Sequence, residues 1–187
     1  MKVMLKSVRL AFPKLFTAEQ VNGQGEFKFS AAFPIVLDSE NAKALEAACK
    51  AVATEKWKDK ASAVYNKLVE DNRICFSKKE KTSTSGDVFD GFAGHGYLNA
   101  SSKTRPTVLD RNPNVQLVES DGRPYGGCYV NASIELWAQD NKHGKRVNAT
   151  LRGVQFVKDG DAFVGGAPAS ADEFEDLGEG AAADDFM

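Results

Sequence analysis

Asp87, Asp90 and His95 are the side chains best suited to hold a divalent metal for hydrolysis, and they share a glycine-rich stretch, Gly86 to Gly96 (GDVFDGFAGHG). Two carboxylates and an imidazole are suitable donors, yet their spacing follows no recognisable ligand pattern. The glycines match neither G-x-G-x-x-G nor G-x-x-x-x-G-K-[S/T], so they are read as turn formers rather than a phosphate cradle. Cys128 with His95 or His143 would make a nucleophile and its base. Cys128, however, opens an alternating apolar run behind Gly126-Gly127, where a small buried hydrophobe is expected. Two distant histidines and no C-x-x-C pair leave structural zinc without a ligand set. No catalytic residue, metal or cofactor is assigned, and the chain is read as a non-enzyme.

What remains is binding chemistry. Single-stranded nucleic acid needs cations to follow its phosphates and aromatic faces on which bases stack. Tyr129 and Trp137 alternate with aliphatic residues along one segment, and Lys145, Arg146 and Arg152 follow on the next. Arg9, Lys14, Lys28, Lys103 and Arg105 extend this set only if the fold brings them to one groove. Trp137 has two readings, a stacking platform or a surface covered by helices or another subunit.

Charge supports a polyanionic partner. The chain holds 24 Lys and Arg against 26 Asp and Glu, a net charge of −2. Nine of those acids fall in residues 159–187, which carry no base, so residues 1–158 hold 24 bases against 17 acids and a net +7. A basic body can attract a polyanion, and an acidic tail can compete with it. The tail finishes Asp184-Asp185-Phe186-Met187, two carboxylates and an aromatic, a pattern suited to docking on a partner. Ala167 to Ala183 is small and acidic and is expected to be disordered. The division is therefore a domain over 1–166 and a disordered acidic tail over 167–187. No apolar run is long enough to span a bilayer. The three cysteines, Cys49, Cys75 and Cys128, form no disulfide pattern, and a reducing cytoplasm is expected.

The elements that must position these groups can be read from periodicity. Val3 to Phe12 reads as a strand ended by Pro13, and Asn22-Gly23 as a hairpin turn. In Glu26 to Leu37 the residues Phe27, Phe29, Ala31 and Phe33 alternate with Lys28, Ser30 and Ala32, which places the three phenylalanines in the core. Asp38-Ser39-Glu40 offers a helix cap, followed by Ala42, Leu45, Cys49 and Val52 at helical spacing. A second helix carries Trp57, Ala61, Val64, Tyr65 and Leu68, with Trp57 and Tyr65 fastening helix to sheet. Ile74 to Phe76 is a short strand. Ser77 to Gly86 holds three lysines and no apolar anchor, and is either a solvated loop or a mobile basic finger. Tyr97 to Ser102 is a strand. Cys128 to Gln139 and Lys145 to Val157 form a long hairpin around Asp140 to Gly144. The expected fold is mainly β with a helical insertion: a five-stranded antiparallel Greek-key barrel of the oligonucleotide-binding (OB) type with two helices.

Four stretches carry a resemblance. They are Val8 to Phe12 with Leu15-Phe16; Tyr97 to Lys103 through Arg105-Pro106 to Asp110; Tyr125 to Val130; and Gly153 to Gln155 through Lys158-Asp159-Gly160 to Gly165-Gly166. In order and spacing the chain resembles bacteriophage single-stranded-DNA-binding proteins of the OB class. That resemblance implies a cofactor-free protein that coats single-stranded DNA during phage replication and recombination, in the host cytoplasm. It implies an acidic tail that competes with DNA and recruits replication proteins such as polymerase, helicase or primase through Asp184, Asp185 and Phe186. Tyr97, Asn99, Lys103, Arg105, Tyr125 and Tyr129 lie in the matching stretches and become interface candidates. A homo-oligomer is compatible with it, and no membrane partner is implied. In one respect the chain departs from related tails, because Met187 follows the final aromatic. Two rivals stay open: an RNA-binding OB protein, and an oligomeric scaffold with no nucleic-acid role.

Overall fold

The computed structural model describes residues 1–163. The expected tail over 167–187, and its boundary, lie outside the described residues. Eight strands and two helices follow in the order β1 (Lys2–Arg9), β2 (Ala11–Val21), β3 (Gln24–Ile35), α1 (Glu40–Trp57), α2 (Ala61–Glu70), β4 (Phe76–Ser77), β5 (Gly96–Ser102), β6 (Thr107–Leu109), β7 (Tyr129–Asn141) and β8 (Gly144–Lys158). A 3-10 turn, Lys58–Lys60, joins the helices. The chain is mainly β with a helical insertion, as expected. The expected count of five strands becomes eight, and the expected antiparallel sheet is mixed.

Both differences have local causes. The first predicted strand does not stop at Pro13. It breaks at Leu10 and continues as β2 straight through the proline. The β2–β3 register shifts between Ala11 and Lys14, a bulge where a residue without N–H is tolerated. Ser7 (φ 50°) and Phe12 (φ 48°) take left-handed backbone on either side of the break and bend the chain. β4 and β6 are short additions on β5 and β8. The sheet order is β1-β7-β8-β5-β3-β2, and its two end strands are consecutive in the chain. β8 runs parallel to β5 at Ser101–Thr150 and parallel to β6, which makes the sheet mixed.

The core sits inside this sheet and under α1. Leu5, Phe33, Leu98, Val130, Ile134, Leu136 and Leu151 are fully buried, and burying each such side chain contributes roughly 1.5–3 kcal/mol. In β7 the buried residues Val130, Ala132, Ile134 and Leu136 alternate with more accessible neighbours, the strand period seen in the sequence. The Ser39 hydroxyl caps α1 by accepting from the Ala42 amide at 3.2 Å. Leu45, Cys49 and Val52 face inward from it. Trp57 closes α1 and donates Nε1 to Asp140 Oδ2 at 2.9 Å, fixing the helix corner to the β7–β8 hairpin.

One core expectation fails for two of its three phenylalanines. Phe33 is buried, but Phe29 is only half-buried and outside the core, and Phe27 is 61% exposed, with Val21 also exposed nearer the hairpin tip. The β2–β3 hairpin extends past the sheet that covers its base. Alternation there continues as strand geometry with nothing to pack against.

Candidate nucleic-acid interface

Two hairpins rise on either side of a cleft of ≈ 1300 Å³. One is β2–β3, contributing Gln20, Val21 and Asn22 near its tip and Lys14, Lys28 and Ser30 below. The other is β7–β8, contributing Trp137, Gln139, Arg146, Asn148 and Thr150. The floor is β5, with Tyr97, Asn99, Ser101 and Ser102 leading to Lys103. Strand alternation puts Trp137 and Gln139 on one surface with Arg146, Asn148 and Thr150, and likewise Tyr97 with Asn99 and Ser101. Lys28 and Ser30 point away from Phe29, and Trp137 points away from Leu136.

Of the sequence candidates, Lys14, Lys28, Tyr97, Asn99, Lys103, Trp137 and Arg146 meet in this cleft. Among the described residues Glu19 is the only acid lining it, and it pairs with Lys14 at 3.1 Å. Lys103 pairs with Glu26 at 2.9 Å. Both pairs are exposed, so they contribute little stability and are readily exchanged for another anion. Trp137 is 44% exposed, and its Nε1 donates to Thr150 Oγ1 at 3.1 Å, which fixes the ring edge and leaves a face open.

Among the cleft residues not nominated from sequence are one lysine and two phenylalanines, Lys81, Phe12 and Phe89. The segment after β4 is neither a loose loop nor a finger. A bridge between Thr82 and Val88 folds it back, Glu80 accepts from the Gly94 amide at 2.8 Å, and Phe92 is fully buried beneath it. It delivers Lys81 and Phe89 to the cleft wall, where they meet Phe12. Lys81 lies 4.7 Å from the Tyr97 ring centroid and 3.4 Å from Asn99 Oδ1, and burial lowers its pKa below the usual lysine range. Phe12 and Phe89 meet edge to face with centroids 4.9 Å apart. The basic character of the segment was visible in sequence. Its anchors, Phe89 and Phe92, lie beyond the basic run, so their link to Lys81 was not.

The remaining candidates lie elsewhere. Arg9 donates Nε to the Gly127 carbonyl at 3.1 Å and Nη2 to the Asp161 carbonyl at 2.7 Å, and covers the Phe163 ring at 4.1 Å. Tyr125 donates its hydroxyl to Asp159 at 2.7 Å, and burial followed by that hydrogen bond raises its pKa. Tyr129 lies under Arg9 and Lys158, at 5.7 and 4.7 Å. Together these residues bind a strap, residues 159–163, across the Gly126-Gly127 bend. Lys145 pairs with Asp140 at 2.9 Å and Arg152 with Glu135. Arg105 covers Phe16 at 5.5 Å, just beyond the Lys103 end of the cleft. Cys128 is fully buried, and burial pushes its thiol up to about 11, the reverse of what a nucleophile needs.

The strap leads back to the cleft. Phe163 packs with Ala11, Ala32 and Phe92 in a small second core that Phe12, Phe89 and Tyr97 cover. Those last three line the cleft, so the described chain ends behind its aromatic wall.

Comparisons with known proteins bear on the family and the fold. A family model described as "Enterobacter phage Enc34, ssDNA-binding protein" matches residues 1–187. Protein p50 of Acyrthosiphon pisum secondary endosymbiont phage 1 is 48% identical over 180 residues, covering 95% of this chain and 94% of that one. Among solved structures, the single-stranded-DNA-binding protein of bacteriophage Enc34 in complex with ssDNA superposes with TM-score 0.62 at 24% identity, covering 87% of this chain and 89% of that one. Gp2.5, a single-stranded-DNA-binding protein encoded by bacteriophage T7, does so with TM-score 0.51 at 17% identity over 97% and 100%. Both structural likenesses concern the fold.

Proposed function

The chain belongs to the Enc34 family of phage single-stranded-DNA-binding proteins, and from that premise we propose that it coats single-stranded DNA without sequence preference during phage replication and recombination. The observation that carries this reading is the cleft. It gathers Lys14, Lys28, Lys81, Lys103 and Arg146 around Tyr97 and Trp137, between two hairpins, with one acid among the described residues. Cations pair with phosphates, and bases stack on the open aromatic faces. Asn99 and the cleft hydroxyls serve sugars and base edges. Arg9, Tyr125 and Tyr129 act indirectly, by holding the strap. Arg105 continues the phosphate track past Lys103. Lys145 and Arg152, already paired, add long-range attraction.

The fold supports the same reading in finer detail. Counted as one bent strand, β1 and β2 pair with β7 on one half and β3 on the other, and parallel β5–β8 closes the circuit. That is the connectivity of an OB barrel, whose two long hairpins flank the oligonucleotide groove. The barrel would occupy 1–166 in the host cytoplasm, binding without cofactor or turnover.

Fluorescence anisotropy with oligo-dT, duplex and matched RNA tests it. The expected result is tighter binding to oligo-dT than to either competitor. Five cleft cations give a slope of log K against log salt of about −3 to −4, at about −0.7 per phosphate. Absence of binding to all three polymers would sink the reading, and a preference for RNA would replace it with the RNA-binding one.

Lys81 adds a pH signature. A phosphate beside it raises the pKa that burial lowers in the free protein. Binding then takes up a proton. Its contribution is complete below the free-state pKa and is lost as pH rises through that value toward the bound one. Affinity should therefore fall at alkaline pH in the natural protein and less so in Lys81→Met. Identical pH profiles for the two would count against a phosphate contact.

The acidic tail completes the function. Phe163, the last described residue, packs behind the cleft wall, which supports a tail whose carboxylates compete at the cleft at high effective concentration. DNA displaces the tail and frees Asp184, Asp185 and Phe186 for replication proteins. Deleting residues 169–187 is expected to tighten oligo-dT binding several-fold at low salt and to abolish partner recruitment. Unchanged low-salt affinity would remove the competition.

A further inference from the structure

The basic surface continues past the cleft. Arg146 marks the cleft's β7–β8 side. Around the tip of that hairpin stand Lys142, which is exposed, and Arg73, whose guanidinium is held by the carbonyls of Lys145 (3.0 Å) and His143 (2.9 Å). Arg73 sits between Asn72 and Ile74, both of which line the cleft. Beyond the hairpin, the Trp57–Asp140 hydrogen bond holds the α1–α2 corner against it. That corner carries Lys56, Lys58 and Lys60, all exposed and none in an ion pair among the described residues.

The acids nearby do not cancel this surface. Asp140 is shared between Lys145 and Trp57. The hydrogen bonds from Lys145 and Trp57, with the nearby charges of Lys145 and Lys56, hold its carboxyl below the usual range. Glu55 and Asp59 interleave with the three lysines and leave the corner net positive. Lys58 is also unusual in its backbone, with φ 51° and ψ −122°. Glycine would adopt that conformation without strain, whereas a side chain there is strained. The corner thus keeps a cation where the backbone favours none.

We propose that this corner is a second phosphate-binding segment, reached by single-stranded DNA that leaves the cleft at Arg146 and passes over Arg73 and Lys142 onto Lys56, Lys58 and Lys60. The proposal rests on the cleft reading and extends it. Short strands occupy the cleft alone, and longer ones gain the corner's phosphate contacts.

Full-length protein is titrated with oligo-dT of about 6 and about 20 nucleotides, lengths chosen to fall below and above one OB footprint. In the Lys56→Gln, Lys58→Gln, Lys60→Gln variant, the longer strand is expected to bind roughly tenfold more weakly, with a salt slope shallower by about 2. The shorter strand is expected to bind as before. Lys58→Gly alone separates charge from folding: its melting temperature should hold or rise while long-strand affinity falls two- to threefold. Unchanged long-strand affinity in the triple variant overturns the proposal, as does an equal loss for both lengths. If the natural protein binds neither strand, the cleft reading itself fails, a result distinct from either.

Discussion

Tyr97→Ala combined with Trp137→Ala lowers affinity for oligo-dT by roughly 2–6 kcal/mol, at least thirtyfold, and leaves the salt slope nearly unchanged. The magnitude follows from stacking, which contributes about 1–3 kcal/mol per base. The unchanged slope follows because every cleft cation remains. Trp137 presents an open face from β7, oriented by Thr150. Tyr97 stands on the floor with Lys81 against its ring. Tyr97 also covers the small second core, so Tyr97→Leu serves as a control that preserves bulk and removes the π-face. Tryptophan fluorescence gives a second readout, since Trp57 is buried and Trp137 is the one beside the cleft. Affinity within threefold of the natural protein would remove stacking from the mechanism.

Gly127→Ala should destabilise the body by about 3 kcal/mol or more, lowering the melting temperature by roughly 6–12 °C. Gly127 takes φ 109°, and a Cβ there would collide with the Asp161 carbonyl on the strap. Backbone closes on backbone at this point, so no side chain can swing aside to relieve the clash. The adjacent Gly126 makes the contrast. A Cβ there meets only Pro13 Cδ, at 3.8 Å, and Gly126→Ala should stay within about 1 kcal/mol of the natural protein. Thermal denaturation of the two variants decides it. Equal melting temperatures would mean that the strap yields easily.

This pair of glycines shows what sequence could and could not reveal. A bend at Gly126-Gly127 was legible. That Tyr125 to Val130 and Lys158-Asp159-Gly160 are two halves of one clasp was not, because their hydrogen bonds join residues far apart in sequence. Arg9 shows the same limit: its Nε and Nη2 donate to backbone carbonyls of Gly127 and Asp161, contacts more than a hundred residues away in the chain. Local rules served better. The β7 alternation, the Asn22-Gly23 turn and the Ser39 cap depend on near neighbours and are present as read. Phe27 shows the limit of periodicity, which reports strand geometry and is silent on whether another layer covers the face. Parity put Tyr129 on one face with Trp137, yet only Trp137 of the two lines the cleft, and Lys14, Lys28 and Lys103 reach it through pairings between strands that parity within a strand does not report. Lys81 and Phe89 were missed because a folded-back loop has no parity to read.

The bulges in β1 and β2 bear on solubility under crowding. On a strand coated as proposed, copies of the protein would stand side by side at very high local concentration. Straight sheet margins held that close would recruit one another's free amides and carbonyls and anneal into fibrous aggregates. Here both end strands of the sheet are kinked, by left-handed backbone at Ser7 and Phe12 and by register slips along β1 and β2. A neighbour approaching such a margin finds its hydrogen-bonding groups out of step. The distortion that lets one N-terminal segment serve two partners thus also protects crowded copies from precipitation, leaving the nucleic acid as their common template.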